Sequence, residues 1–145
     1  MAPPDPTVTI AEDGAEVAGR IEAELLRALR ETLPQSNNDA FVLSARSEDG
    51  NLVGGLTASA SYGWLLVKTL WVAEAQRGKG LGRALMDEAE TKARDLGCHG
   101  AWLDTSSPDA MRFYQRLGYE TFGQLSNAPG QTPETHRRWF MKKAL

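Results

Sequence analysis

Cysteine occurs once in the 145 residues, at Cys98, and histidine twice, at His99 and His136. A single thiol excludes an internal disulfide and a cysteine-built zinc cluster, and two imidazoles are too few for a histidine-rich metal site, so no metal is expected. Long apolar runs are missing as well. Stretches such as Trp64 to Val67 fall far short of the roughly 20 residues that span a bilayer. The head MAPPDPTVT lacks the basic segment followed by an apolar one that marks a secretory leader. These absences predict a soluble, cytoplasmic protein with no membrane partner. A positive surplus is also lacking: the formal net charge of -3 argues against general nucleic-acid binding. The sum hides an asymmetry, since residues 1–31 carry seven acids against three bases while Arg137, Arg138, Lys142 and Lys143 crowd the C-terminus. A locally positive site on an acidic protein suggests a small anionic ligand.

What is present is enough for one core. A content of 41% hydrophobic and 24% charged residues predicts a single globular domain over 1–145, with Pro3, Pro4 and Pro6 marking 1–6 as a loose leader. TVTI (7–10) reads as a short strand. Asp13 and Glu16 form a capping pair ahead of a helix with the stripe Val17, Ile21, Leu25 and Leu29, ending near Pro34. Strands follow at 40–46, 51–62 and 64–72, the first two joined by the turn SEDG. Leu81, Leu85, Ala89, Ala93 and Leu96 recur at helical spacing up to a stop at Gly97. A strand at 100–106 precedes Ser107-Pro108, a helix start, and Gly118 ends that helix. YETFG and HRRWFMKKA close the chain as strands. The order β-α-β-β-β-α-β-α-β-β indicates one mixed α/β sheet.

The stretch AQRGKGLGRAL (75–85) puts three glycines where the second helix begins, although glycine inside a helix costs roughly 1 kcal/mol relative to alanine. It is no P-loop, because Ala73 stands where GxxxxGK needs its first glycine and Gly80 where Ser or Thr must follow. It is no dinucleotide fingerprint, because Arg83 or Leu85 occupies the last glycine position of GxGxxG. What remains is Arg77-x-x-Gly80-x-Gly82 opening a helix after a strand. First-turn N–H groups have no internal partner and favour negative charge, so such a start can hold phosphate once side chains are out of the way. Taken alone, the stretch fits a mobile glycine-rich turn with surface cations equally well.

RxxGxG after LWVAEAQ resembles motif A of the GNAT superfamily of acetyl-CoA-dependent N-acetyltransferases. SPDAMRFYQRLGYE (107–120) resembles that family's motif B. The motifs fall in the expected order with a strand between them, and the resemblance covers about 40–145. It implies a single-domain GNAT-like α/β fold with a central mixed, largely antiparallel sheet flanked by helices and splayed between the strands 64–72 and 100–106. It also implies that Arg77, Gly78, Lys79, Gly80, Gly82 and Arg83 wrap the CoA pyrophosphate, and that Leu70 and Val72 bond the pantetheine arm and acetyl oxygen through their backbone. Tyr114 aligns with the tyrosine that hydrogen-bonds the CoA sulfur and protonates the departing thiolate. Motif B commonly has asparagine where Ser107 stands; Ser107 is a candidate pantetheine contact and equally a plain helix cap.

The implied reaction is direct attack of a neutral amine on the thioester. An alkylamine of pKa about 10.4 is neutral in one molecule of about 2,500 at pH 7, a cost near 4.6 kcal/mol, so a base is useful. Glu74 and Asp104 are the candidates, against dipole-favoured and turn-facing readings of each. Tyrosine, at about pKa 10, is a weaker acid than a thiol, so Tyr114 acts chiefly as a hydrogen-bond donor to the leaving sulfur. Cys98 reads as a buried cysteine rather than a nucleophile, the tryptophans as core or cleft wall, Tyr62 and Trp71 as candidate acceptor-pocket residues, and the basic last strand as a solvated edge. The expected acceptor is a primary amine of a small molecule. A protein or peptide amine and a non-catalytic CoA-binding sensor are the alternatives. Homodimers are common in such folds, and the sequence leaves that question open.

Overall fold

In the computed structural model, which describes residues 2–145, the first three strands are β1 (Asp39–Arg46), β2 (Leu52–Ser61) and β3 (Trp64–Val72). SEDG does close the first hairpin: Gly50 takes φ +83° and its N–H donates to the Ser47 carbonyl at 2.9 Å. The second hairpin turns on Tyr62 and Gly63, both at positive φ, between the paired Ser61 and Trp64. Two consecutive left-handed residues match the strand twist, and glycine at the second makes this affordable sterically. β4 (Gly100–Thr105), β5 (Glu120–Ser126) and β6 (Arg137–Ala144) complete one six-stranded sheet of order β1-β2-β3-β4-β6-β5, antiparallel except between β3 and β4.

Alternation along β2 buries Leu56, Ala58 and Ala60 on one face, joined there by Leu65, Val67, Ala101, Leu103 and Met141. Helix α2 (Leu81–Asp95) lays Leu85, Met86, Ala89 and Ala93 against β2 and β3, and α3 (Pro108–Arg116) packs on β4. The buried alanines on both sides, Ala58 and Ala60 on the sheet and Ala89 and Ala93 on the helix, add little bulk between the larger side chains. The parallel β3–β4 crossover runs through α2, as a parallel pair requires.

The chain forms two compact units, one ending at Gln35 and one spanning Ser36–Leu145. The first holds α1 (Ala15–Thr32), with the expected apolar stripe and with Leu33 as its C-cap just before Pro34. Two expectations fail within it. TVTI is not a strand: the Thr7 N–H and hydroxyl both bond the Asp5 carboxylate and the Val8 N–H bonds the Asp5 carbonyl, so a local turn takes donors that a ladder would need. The Asp13–Glu16 capping pair is not made either. Gly14 is the N-cap, and the Asp13 carboxylate accepts from the Gly14 N–H one residue too early to reach the helix's first turn.

A third correction concerns the last strand. β6 is no edge, because β5 folds back outside it. Its Arg138 and Lys143 make ion pairs with Asp104 and Glu90 instead of lining a bare edge. Among the described residues no helix is long and apolar enough to cross a membrane.

Candidate active site

β3 and β4 pair at Trp64↔Gly100, Leu65↔Ala101 and Leu66↔Trp102, and then part. The cause sits next to the last pair. Thr57 pairs with Thr69 and Ala58 with Val67, so Lys68 is an extra residue on β3, a bulge that bends the strand. Beyond it, the Ala73 N–H donates to the Val53 carbonyl at 2.8 Å, which makes Ala73–Val53 a hydrogen-bonded pair. By antiparallel alternation, Leu70 and Val72 then turn their N–H and C=O groups away from β2, into the gap left by β4. The Val72 carbonyl accepts from Arg77 Nε at 3.1 Å.

A single 3₁₀ turn (Glu74–Gln76) leads from β3 into the glycine stretch. Gly78 (φ +74°) and Gly80 (φ +84°) are both left-handed, and Gly80 is the N-cap of α2. The first capping-end bond is Ala84 N–H to the Gly80 carbonyl at 3.0 Å, and the N–H groups of Gly78, Lys79, Gly80, Leu81, Gly82 and Arg83 donate to no described residue. Gly82 also has a packing reason. A Cβ there would stand 3.3 Å from the Phe113 ring, so the glycine lets α2 close on α3.

The third wall comes from α3. Ser107 caps it, its hydroxyl accepting from the Ala110 N–H at 3.2 Å, with Pro108 at the first helical position. This orients Tyr114 on the buried side of the helix, edge-on to the rings of Phe113 and Tyr119. The Tyr114 hydroxyl makes no hydrogen bond to a described residue and is not a buried unpartnered atom, so it opens on the cleft. Burial pushes its pKa above the ordinary tyrosine value, which keeps the proton on at neutral pH.

These pieces enclose one cleft of about 650 Å³. Leu70, Val72, Arg77, Gly78, Gly80, Gly82, Arg83, Ser107 and Tyr114 all line it, as does Trp71. Lys79, Glu74 and Asp104 do not. Lys79 and Glu74 are exposed at the surface, and the Asp104 carboxylate is held by Arg138 Nη1 at 2.6 Å. Tyr62 lies at the opposite end of β3 from Trp71, in the turn, beside Cys98, which is buried. The one acid lining the cleft among the described residues is Asp109, ion-paired with Arg112. Among the described residues no three His, Cys, Asp or Glu side chains gather as a metal site.

Sequence reasoning overlooked Phe113, Arg116 and Gly54. Arg116 adds a cation to the cleft. A Cβ on Gly54 would meet Leu81 Cδ2 at 3.0 Å and the Trp71 carbonyl at 3.2 Å, so this glycine seats the start of α2 on the sheet. Two adjacent glycines inside a strand, Gly54 and Gly55, were the available signal.

Residues 15–119 match the acetyltransferase (GNAT) family. An acetyltransferase of Agrobacterium fabrum is 38% identical over 112 residues, covering 72% of this chain and 82% of that protein. Blasticidin-S acetyltransferase of Streptomyces morookaense is 38% identical over 107 residues, covering 72% and 79%. Among solved structures, an acetyltransferase from Bacillus cereus superposes with a TM-score of 0.82 at 28% identity, over 94% of this chain and 98% of that one.

Proposed function

The chain belongs to the GNAT acetyltransferase family, and from that premise we propose that it moves the acetyl group of acetyl-CoA to a primary amine of a small molecule. The observation that carries the reading is the convergence in one cleft of Gly78, Gly80, Leu81, Gly82 and Arg83, whose N–H groups have no partner among the described residues, an open strand edge at Leu70 and Val72, and the Tyr114 hydroxyl, likewise without a described partner. A diphosphate fits the first, since helix-start N–H groups with Arg77 and Arg83 beside them are an anion cradle. An amide-bearing arm fits the second, bonding the strand edge as an added strand would. Acetyl-CoA, when bound, supplies the activated acyl group.

The chain's own residues do the rest. Leu70 and Val72 hold the arm in the gap; Arg77 gives up Val72's carbonyl as the ligand enters. Tyr114 keeps its proton at neutral pH and donates a hydrogen bond to the thiolate as it leaves, and the thiolate then takes its proton from water. Removal of the amine proton falls to Glu74, through water, because Asp104 is engaged by Arg138. Ser107 serves α3 as its cap.

The small-molecule acceptor draws support from the relative that acetylates blasticidin S. The test is thiol release from acetyl-CoA across a panel of blasticidin S, amino acids, polyamines, aminoglycosides and peptides. Release with at least one small amine is expected. Acetyl-CoA binding without turnover on any amine would make the protein a sensor, and turnover on peptides alone would make it a protein acetyltransferase.

A further inference from the structure

Glu90 is a carboxylate in the core, 3% exposed, on the α2 face that meets the sheet. Both of its oxygens are taken. Oε2 accepts from the Tyr119 hydroxyl at 2.9 Å and Oε1 from Lys143 Nζ at 2.7 Å, with Arg94 Nη2 at 3.9 Å. Lys143 also stands over the Tyr119 ring, 5.6 Å from its centroid. Tyr119 is in turn tied to Tyr114 twice: its N–H donates to the Tyr114 carbonyl at 3.0 Å, and the two rings meet edge-on at 5.9 Å. A buried carboxylate is costly unless fully partnered, and here the partners come from β6 and from the segment between α3 and β5.

The consequence reaches the cleft. Tyr114's hydroxyl has no hydrogen-bond partner among the described residues, so the packing of its ring fixes where that hydroxyl sits. Phe113 is its neighbour on the same helix; Tyr119 is the aromatic ring that meets it from outside the helix. Glu90 lies ten residues after Gly80, about 15 Å down α2 from the anion cradle by helical rise. One helix therefore carries the cradle at its start and the anchor of the tyrosine wall further on. Burial, then the charge of Glu90, pushes the Tyr119 hydroxyl far above its ordinary pKa, so that hydroxyl stays a donor throughout the working range.

We propose that Glu90 is a positioning residue for acetyl transfer: through the Tyr119 hydroxyl it holds the Tyr114 ring, and so the Tyr114 hydroxyl, at a fixed place against the cradle. This rests on the function proposed above. A group displaced by about 1 Å from its reacting position can cost a hundredfold in rate while binding is kept. The anchor therefore acts on turnover and leaves donor affinity alone.

The test is a double-mutant cycle of Tyr119→Phe with Tyr114→Phe, read by single-turnover transfer and by acetyl-CoA affinity. With Tyr114 present, Tyr119→Phe is expected to slow transfer about tenfold and to leave the acetyl-CoA Kd within twofold. In the Tyr114→Phe background the same change should cost less than about twofold, because its target is gone. Equal losses in both backgrounds, or no loss with Tyr114 present, would overturn the proposal. A second readout needs no acceptor. The chain has three tyrosines, so 3-fluorotyrosine labelling gives three ¹⁹F resonances, assigned by single Tyr→Phe variants. Glu90→Gln and Tyr119→Phe should each move or broaden the Tyr114 resonance; an unmoved resonance in both overturns the proposal. If the wild-type protein transfers acetyl to no amine, the proposed function fails while the ¹⁹F result still decides this inference.

Discussion

Glu74 and Asp104 started as equal candidates for the proton acceptor, and their surroundings separate them. Asp104 spends its carboxylate on Arg138, and removing it would strand a half-exposed guanidinium as well as a base. Glu74 is exposed just past the end of β3, in no ion pair among the described residues, so its carboxylate is not committed to another residue's charge. Glu74→Gln is expected to lower kcat/KM for the amine about tenfold at pH 7. The deficit should shrink as the pH approaches the amine's own pKa, where the neutral amine no longer has to be made. A pH–rate profile of wild type and variant checks this, and parallel profiles at all pH values would assign Glu74 no part in proton removal.

At the scale of elements, the start of α2 shows how one glycine-rich string serves several ends. Gly78 and Gly80 are there for their left-handed backbone, Gly82 for its contact with Phe113, and Gly54 on β2 for the seat of Leu81. Gly80→Ala keeps every charge but puts a Cβ at φ +84°. It should destabilise the fold by roughly 1–2 kcal/mol and, by turning the N–H groups, weaken CoA binding about tenfold. Thermal unfolding and titration calorimetry measure the two effects, and unchanged CoA affinity would remove these N–H groups from the site. The helices themselves were readable because their signals are local: the Leu81–Leu96 periodicity, Ser107-Pro108 and Gly118 mark α2 and α3 within a residue or so. The splay was readable only through the motif resemblance. The bulge at Lys68 that causes it depends on register with β2, which no residue of β3 announces alone. Nor could β6 be recognised as interior, since β5 pairs outside it only after a ten-residue loop. The Glu90 anchor was hidden for the same reason, its partners lying 29 and 53 residues away in sequence.

On the scale of the whole molecule, the two buried tyrosines shape stability against pH. Burial raises the pKa of both Tyr114 and Tyr119 above the unfolded value near 10, so the folded protein holds protons that the unfolded chain gives up. Their contribution is therefore fully present below about pH 10 and is lost as the pH climbs further. Thermal midpoints should fall steeply above pH 10, and Tyr119→Phe should flatten the fall; an unchanged slope in that variant would contradict the assignment. The proposed function joins all three scales: one cleft, with an anion cradle on α2 and a hydrogen-bond donor, Tyr114, on α3, is proposed to carry out one reaction. Rapid-quench single turnover of wild type and Tyr114→Phe, with acetyl-CoA and an acceptor from the amine panel, tests it most directly. The account predicts at least a tenfold slower transfer in the variant at near-unchanged acetyl-CoA affinity. An equal transfer rate in both proteins would contradict it.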